Sequence, residues 1–307
     1  MNKQLFQLLW RHYRKRLIAL GAISLLVIIG ISLADAGTWV VKPGQRLLSD
    51  QVNQWMLYQF SNRGTVSLFP VWLLFVFWVG GFLLMNQDLK DHFNQFLFTS
   101  GYRRQTIYWA KLLLGLGVLL GITVMTTGVQ YLVYWLKVPA GVTFNLAWPG
   151  VLASWGIGLA NAVGMFAIFW FAALIIGQTG ALIVTVSGFT LSVVGWANVW
   201  SQWIKMTPVQ SEWVSARGWV VAALILFIWG SVLYARLSLE HNGEYLMFPG
   251  LKVPVYIVFV LYVTFLFSVN AGELAPGLTA FIVSALFGYW WLWRPRFSRL
   301  RHRSDAD

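Results

Sequence analysis

The sequence predicts an all-α, polytopic membrane protein with about eight transmembrane helices. Of its 307 residues, 58% are hydrophobic and only 10% are charged, and the mean hydropathy is +0.67. Soluble domains carry about a quarter charged residues. Apolar stretches of about 18 residues or more recur along the chain, long enough to cross a hydrocarbon core of about 30 Å as helices. Because these stretches do not alternate polar and apolar residues, they predict helices rather than barrel strands.

Eight stretches satisfy the length requirement for a transmembrane helix. They are Leu17 to Ala34, Thr65 to Met85, Ile107 to Leu136, Trp148 to Ile176, Ala181 to Trp200, Gly218 to Tyr234, Val253 to Val269 and Leu274 to Trp293. They are expected to form a single transmembrane domain over residues 1–307. The predicted segments around them are an interfacial helix at 1–16, an extracellular segment at 37–64, a cytoplasmic segment at 86–105, a cytoplasmic loop at 236–252 and a basic cytoplasmic tail at 294–307.

The first sixteen residues are amphipathic. One helical face carries Phe6, Leu9, Trp10 and Tyr13, a pattern typical of a helix lying flat at the membrane surface. A secretory signal peptide is the alternative, but the apolar stretch after it is longer than the usual ~7 to 15 residues. For the segment 37–64 a lid packed on the bundle is preferred to a ligand-binding domain.

The distribution of basic residues predicts the topology. Sixteen of the 22 Lys and Arg fall on one side of the predicted spans: five before Leu17, four between 90 and 111, two at 236 and 252, and five from 294 onward. The positive-inside rule therefore places both termini in the cytoplasm. The net charge of +12 sits in short clusters beside the spans, which favours lipid headgroups over nucleic acid as its partner.

Several function classes lack their motifs. The chain has no cysteine, and it contains no HExxH, GxSxG or phosphate-binding loop, so neither catalysis nor ATP binding by this chain is expected. No ionisable side chain is expected at mid-depth, where ion-coupled carriers hold one. Asn161 is the most polar deep position, and it either bonds a neighbouring helix or lines a substrate path.

The stretch "FLFTSGYRRQTIYWAKLL", residues 96–113, is the most informative of the chain. Before and within it, Leu89, Phe93, Phe96 and Leu97 form one apolar stripe, which predicts a surface helix from Asn86 to Ser100. Gly101 and its two preceding hydroxyl residues end that helix. Arg103 and Arg104 are expected at the headgroups, and Lys111 is expected to extend along the lipid and return its ammonium to the interface.

This stretch resembles the permeases of ABC-2 type ABC transporters. In that family an acidic residue after the second span is followed by a segment similar to "FLxTSPxSRxxxxxxKLL", whose short coupling helix enters a groove of the ATPase subunit. The residues at matching or neighbouring places are Asp88, Asp91, Phe96, Thr99, Ser100, Gly101, Arg103, Arg104 and Lys111. Gly101 stands where the family often has proline, which places the shape of the turn in question more than its location.

A second resemblance lies in "LSLEHNGEYLMFP", after the sixth predicted span. Glu240, Gly243 and Glu244 match the Glu-x-x-Gly-Glu element of an eight-span ABC-2 subgroup from Gram-positive bacteria. The two carboxylates either brace the coupling helix or meet basic residues of the ATPase, or they belong to an ordinary solvated loop. Both readings stay open.

The resemblance implies a bacterial plasma-membrane permease whose partners are ABC ATPase subunits and a second, identical or homologous permease. ATP and Mg would be bound by the ATPase and no cofactor by this chain. The implied function is export of a hydrophobic or amphipathic substrate such as an antimicrobial peptide, a lipid or an envelope component. The alternatives are a membrane scaffold or sensor subunit that moves no substrate, and an ATP-independent channel or carrier.

Overall fold

The computed structural model describes residues 3–37, 69–86, 88, 91, 93–137, 150–203, 208–237, 245–271 and 274–293. Within these ranges the prediction of an all-α protein is confirmed. The regular structure there consists of helices, with one isolated bridge between Ile176 and Leu246. The predicted extracellular segment 37–64, except its first residue, and the tail 294–307 lie outside the described residues.

The long helices overlap the predicted spans. In chain order the helices are α1 (Lys3–Gly37), α2 (Phe69–Gly81), α3 (Phe93–Thr99), α4 (Arg104–Lys137), α5 (Gly150–Ile175), α6 (Thr179–Trp203), α7 (Pro208–Ala235), α8 (Lys252–Ala271) and α9 (Leu274–Trp293). α1 and α7 begin 14 and ten residues earlier than predicted. In the described part, six stretches are long and apolar enough to cross a membrane, in α1, α4, α5, α7, α8 and α9. The chain is therefore a multi-pass membrane protein by length and composition. Shorter apolar stretches, Trp72–Asn86 and Thr179–Ser192, occupy the second and fifth predicted spans.

The N-terminal segment differs from its prediction. Residues 3–16 are not a separate helix lying flat, because α1 runs without interruption from Lys3 to Gly37. The face it buries holds Leu5, Leu9, Tyr13 and Leu17, whereas Trp10, assigned to the apolar face, is more than a third exposed. These apolar residues at i, i+4, i+8 and i+12 lie in the same core cluster as Leu97 and Ile107 of other helices. The stripe therefore packs on protein rather than on lipid.

The segment after α2 is described only in part. A π-helical turn, Phe82–Asn86, ends α2, and α3 covers Phe93–Thr99. Of the predicted surface helix from Asn86 to Ser100, the structure describes α3 and a helical Asp88. Such π turns often mark functional sites because they redirect a side chain, and here the turn directs the buried side chain of Asn86 toward α6.

Close helix packing positions these elements. The tightest neighbours are α5 with α7, α8 with α9, α1 with α4 and α2 with α5. Of the glycines expected to permit close packing, Gly164 lies against Trp219, but a side chain at Gly117, Gly121 or Gly156 would meet nothing within 4 Å. Small residues allow close approach only where they face another helix.

One end of the bundle contains the helix ends that the predicted topology places on one side of the membrane. The start of α1, the end of α2, the start of α4, the end of α7 and the connection between α5 and α6 lie together there. We call it the Asp88 end. It also receives the end of α9, through the contact of Tyr245 with Trp291.

Candidate functional site

The short helix α3 lies at the Asp88 end and has two unlike faces. Asn94 and Leu97 are buried, whereas Gln95, Phe96 and Thr99 are exposed, and 54% of Phe96 is accessible. The inner face is attached to the bundle, and the outer face is free to meet another molecule.

Beneath α3 lies a buried ion pair between Asp88 and Lys111. The ammonium Nζ of Lys111 is 2.5 Å from Oδ2 of Asp88, and both side chains are fully buried. The prediction that Lys111 returns its ammonium to the interface is wrong. A buried carboxylate supplies the countercharge that makes a charged lysine tolerable inside the protein.

The remaining donors of Lys111 are also satisfied. Its Nζ donates to Oδ1 of Asn94 at 2.6 Å and to the hydroxyl of Tyr234 at 3.3 Å. The Tyr234 hydroxyl in turn donates to Oδ1 of Asn94 at 2.9 Å. Because an ammonium has three donors, this lysine has none left over, and it joins α3, α4 and α7 through one atom.

A residue of α1 completes this group of buried, hydrogen-bonded side chains. The hydroxyl of Tyr13 donates a short hydrogen bond to Oδ2 of Asp88. We refer to Tyr13, Asp88, Asn94, Lys111 and Tyr234 as the Asp88 cluster. It connects three long helices to α3 and to the segment that precedes it.

Two further contacts join α1 to this region. Arg16 pairs with Asp91 at 2.6 Å on the surface, and the His12 ring stacks on Phe93 with centroids 3.7 Å apart. The Phe93 ring is followed by that of Phe96, whose centroid is 6.0 Å away. An aromatic row thus runs from α1 outward to the exposed face of α3.

The charge state of Asp88 follows from its surroundings. Burial raises the pKa of the Asp88 carboxyl, but the adjacent Lys111 ammonium and the hydrogen bonds from Lys111 and Tyr13 together outweigh it, so the pKa lies below its usual value. The carboxylate therefore stays ionised at neutral pH, and the cluster is a fixed ion pair rather than a group that exchanges protons there.

Arg104 also points inward. Its Nη1 donates to the backbone carbonyls of Leu237 at 2.8 Å and Ala235 at 3.3 Å, and its guanidinium lies 4.3 Å from the centre of the Phe98 ring. The carbonyl of Ala235 ends α7 and that of Leu237 lies just beyond it, so neither has a partner within the helix. A cation at this end of a helix also interacts favourably with the helix dipole. The expectation that Arg104 lies among headgroups is therefore wrong, whereas its neighbour Arg103 is exposed.

Gly101 determines the shape of the turn that follows α3. Its φ is +79°, a left-handed conformation that closes many helices and that proline, fixed near −65°, does not adopt. The hydroxyls of Thr99 and Ser100 donate to the carbonyls of Phe96 and Leu97, at 2.9 and 2.6 Å. The turn is thus closed by glycine geometry and side-chain hydrogen bonds in place of a proline.

A second connection crosses the Asp88 end. The hydroxyl of Thr179 donates to Oδ1 of Asn86 at 2.9 Å. The backbone of residues 245–247 pairs with residues 175–177, through Met247 N to Ile175 O at 2.8 Å and Gly177 N to Tyr245 O at 3.2 Å. Glu240, Gly243 and Glu244 lie outside the described residues, just before this paired segment.

Asn161 lies on α5, away from the Asp88 cluster in sequence and structure. Its side chain is partly buried, and in the part of the chain that the structure describes no donor reaches its buried Oδ1.

Sequence reasoning missed four residues of the site, His12, Tyr13, Asn94 and Tyr234. One signal was available: Lys111 sits inside an apolar stretch and needs a countercharge, and Asp88 and Asp91 are the nearest acidic residues in the sequence. No pattern marked the tyrosines, because the chain has eleven of them and aromatic residues are common at membrane interfaces.

The site holds its charges in a network of buried hydrogen bonds. Within the described ranges no three His, Asp or Glu side chains gather in a way that suits a metal ion. Its chemistry is that of attachment: a rigid group of hydrogen bonds under a helix with an exposed face. The chain matches no known family model, and neither curated proteins nor solved structures show detectable similarity to it.

Proposed function

We propose that this chain is the membrane-spanning permease subunit of an ABC-2 type transporter, driven by a separate cytoplasmic ATPase. In this proposal the protein has eight spans and both termini in the cytoplasm of a bacterium, and it assembles with a second, identical or homologous permease. ATP and Mg are bound by the ATPase. The substrate is hydrophobic or amphipathic, such as an antimicrobial peptide, a lipid or an envelope precursor, and it is exported.

The single observation that carries the proposal is the attachment of α3. A seven-residue helix lies outside the long helices, presents an exposed Phe96, and is joined through Asn94 to Lys111 and Tyr234. A helix that served only to connect two spans would not require a buried ion pair beneath it, since such pairs cost desolvation free energy.

This arrangement suits the transmission of force. A displacement of α3 moves Asn94, and because Asn94 shares hydrogen bonds with α4 and α7, both helices follow. α1 follows through Tyr13 and Arg16, which bond Asp88 and Asp91. Movement carried by packed elements and fixed hydrogen bonds needs no flexible intermediate.

The geometry divides the predicted coupling residues into two roles. Phe96, Thr99, Gly101 and Arg103 are exposed and would contact the ATPase. Asp88, Lys111 and Arg104 point inward and hold α3, and Ser100 shapes the turn, so these four are positioning residues. Asp91 is exposed and fixes α1 through Arg16.

Two further predicted elements also have a role in this proposal. Glu240, Gly243 and Glu244 would form a second contact with the ATPase, which the pairing of residues 245–247 with 175–177 would connect to α5 and α6. Asn161, with its unpartnered Oδ1, would line the substrate path.

A carrier without ATP is the second candidate, favoured by the buried Asp88 and Lys111 pair. Ion-coupled carriers use such groups to bind and release the coupling ion. The lowered pKa of Asp88 opposes proton exchange near neutral pH, which is why we place the permease first. A scaffold or sensor subunit shares the same attachment and differs only in moving no substrate.

The test is co-expression of the chain with a phosphate-loop ATPase, which this proposal expects to be encoded by a neighbouring gene. We expect co-purification and stimulated ATP hydrolysis with the wild type, and loss of both with Phe96→Ala. Truncating an aromatic hot spot costs about 2 kcal/mol or more, roughly a thirtyfold weaker complex.

The matched control is Phe287→Ala, because Phe287 on α9 is similarly exposed at 50% but lies on another helix. If Phe96→Ala and Phe287→Ala gave equal co-purification and equal stimulation of ATP hydrolysis, the assignment of α3 as the contact with the ATPase would be refuted. Substrate-stimulated hydrolysis in a reconstituted complex separates a permease from a scaffold.

A further inference from the structure

The half of α4 that lies away from the Asp88 end, its outer half, is polar inside and apolar outside. Past Ile122 its buried residues each carry a hydroxyl or an amide, and they are Thr123, Thr126, Thr127, Gln130 and Tyr134. On the other face the residues that are more than half exposed include Val124, Met125, Leu132 and Trp135. Polar side chains of a membrane helix face the protein interior or a hydrated cavity, so this half of α4 borders a polar interior.

The outer half of α1 has the same character. Beyond Leu20 the fully buried residues of α1 include two serines, Ser24 and Ser32. The apolar core cluster extends to Leu20 on α1 and to Ile122 on α4, and it contains no described residue of either helix beyond these two. The main apolar core therefore ends where this polar region begins.

Ser32 and Gln130 lie at nearly the same level of the bundle. The two helices run in the same direction, because both begin at the Asp88 end, and farther along a Cβ on Gly21 would lie 3.6 Å from Ile122. Ser32 is 11 residues beyond Gly21 and Gln130 is eight beyond Ile122, which gives axial distances of about 16 and 12 Å. The two levels differ by less than one helical turn, both residues are fully buried, and α1 packs closely on α4.

Most hydroxyls of this region are bonded to their own helix. Ser24 and the three threonines donate to carbonyls four residues earlier, at 2.7 to 2.9 Å. Two buried atoms differ, since Oγ of Ser32 and Oε1 of Gln130 have no hydrogen-bond partner in the part of the chain that the structure describes. Buried polar atoms are almost always hydrogen-bonded, so two such atoms at one level indicate a group that binds there.

The chemistry of these two atoms identifies the group. A serine hydroxyl both donates and accepts, whereas an amide oxygen only accepts. The Nε2 of Gln130 donates to the Tyr134 hydroxyl at 3.0 Å, which leaves Oε1 to accept. The buried charged residues of the described part, Asp88 and Lys111, lie at the other end of the bundle. A neutral group that both donates and accepts, namely a hydroxyl, satisfies both atoms without burying an unpaired charge.

We propose that the outer halves of α1 and α4 enclose a binding site for an uncharged hydroxyl group, centred on Ser32 and Gln130. The hydroxyl accepts from or donates to Oγ of Ser32 and donates to Oε1 of Gln130. It belongs to water or to a neutral polyol such as a sugar headgroup. The site involves neither α3 nor an ATPase, so it can be refuted without affecting the function proposed above.

The first experiment tests whether a small hydroxyl compound reaches the site. The chain contains no cysteine, so Ser32→Cys introduces a single thiol of similar shape, and Leu33→Cys places one at nearly the same depth where the side chain is 45% exposed on the outside of the bundle. The probe is hydroxyethyl methanethiosulfonate, an uncharged thiol reagent, added to the chain in phosphatidylcholine nanodiscs. A thiol reacts through its thiolate, which apolar surroundings disfavour, so we expect Ser32→Cys to react about tenfold faster than Leu33→Cys. Equal rates, or the reverse order, would show a dry interface and overturn the proposal.

The second experiment removes the acceptor. Gln130→Leu keeps a similar volume but lacks Oε1, and in the Ser32→Cys background we expect it to slow labelling about fivefold, the effect of one hydrogen bond. The control is Leu132→Ala on the exposed face of the same helix, which should leave the rate unchanged. If Gln130→Leu had no effect, or no more effect than Leu132→Ala, Gln130 would not belong to the site.

The third experiment identifies the source of the hydroxyl. If glycerol at molar concentration slows labelling of Ser32→Cys but not of Leu33→Cys, the site takes a polyol; if it slows neither, the site takes water. Choline chloride at the same concentration supplies a hydroxyl on a cation and should protect neither thiol. Selective protection of Ser32→Cys by choline and not by glycerol would contradict an uncharged ligand.

Discussion

The Asp88 end and the hairpin of α8 and α9 are held together by different interactions. The Asp88 cluster joins residues far apart in sequence, such as Tyr13 with Asp88 and Asn94 with Tyr234, through buried hydrogen bonds. α8 and α9 pack mainly on each other, with Gly288 against Tyr256 and Phe259, and their described spans are mostly uncovered by the rest of the chain.

This difference indicates which region of the protein determines how the helices are arranged. Lipid tails are as apolar as leucine, so apolar contact alone gives little preference for one helix arrangement over another. A buried ion pair has no satisfactory alternative arrangement, because either charge without the other is costly. The Asp88 end is therefore expected to be sensitive to single substitutions, and the lipid-facing surface of the hairpin to be tolerant.

The largest effect is expected from breaking the ion pair. Lys111→Met leaves the Asp88 carboxylate buried without a countercharge, which we expect to lower the free energy of unfolding by about 3 to 5 kcal/mol. Asp88→Asn with Lys111→Met removes both charges and should recover most of the loss. Thermal unfolding of the purified variants in one detergent measures both, and a double variant no better than Lys111→Met alone would contradict the assignment.

Acid should have the same effect as removing the carboxylate. The pKa of Asp88 is lowered in the folded protein, so its contribution to stability is complete above its unfolded pKa of about 4 and is lost as the pH falls through the folded value. Unfolding temperatures below about pH 4 should fall more steeply for the wild type than for the Asp88→Asn, Lys111→Met double variant. Parallel pH curves would show that Asp88 is not the responsible group.

An intermediate loss of stability is expected from a packing substitution at one of two glycines of α5. An added Cβ at Gly164 would lie 2.5 Å from the Trp219 ring and 3.0 Å from its Cβ, whereas at Gly156 it would meet nothing within 4 Å. We expect Gly164→Ala to destabilise by about 1 to 3 kcal/mol through overpacking, and Gly156→Ala to be neutral or slightly stabilising. Equal melting temperatures for the two variants would exclude the close contact of α5 with α7.

A smaller effect is expected at the end of α7. Arg104→Ala leaves the carbonyls of Ala235 and Leu237 without their side-chain donor, a loss of about 1 to 2 kcal/mol. Arg103→Ala is the matched control, since Arg103 is exposed and should not alter the unfolding temperature. If Arg103→Ala lowered the unfolding temperature and Arg104→Ala did not, the expectation that Arg104 faces the headgroups would be restored.

The smallest effect is expected on the hairpin. Leu286 is 68% exposed on α9, and Leu286→Ala should change the unfolding free energy by less than about 0.5 kcal/mol. A loss comparable with that of Lys111→Met would erase the contrast between the two regions.

The span prediction depended on local information, and it agrees best with the structure in the last two helices. The ninth helix has the predicted bounds Leu274 and Trp293, and α8 differs by one or two residues at each end. The continuous α1 was missed because an amphipathic stripe with Leu9 and Tyr13 fits a lipid surface and a protein surface equally well. Only the partner on that face distinguishes them.

What the sequence by itself determined is a membrane-embedded helical chain and the location of a polar turn between its second and third apolar stretches, because hydropathy and chain length act within one segment. Only the tertiary structure decided that Lys111 and Arg104 point inward, that Gly164 rather than Gly156 faces another helix, and that Tyr13 and Tyr234 complete the Asp88 cluster. Those facts depend on which helix faces meet, and the partners of a buried charge are set by distances between segments that are far apart along the chain.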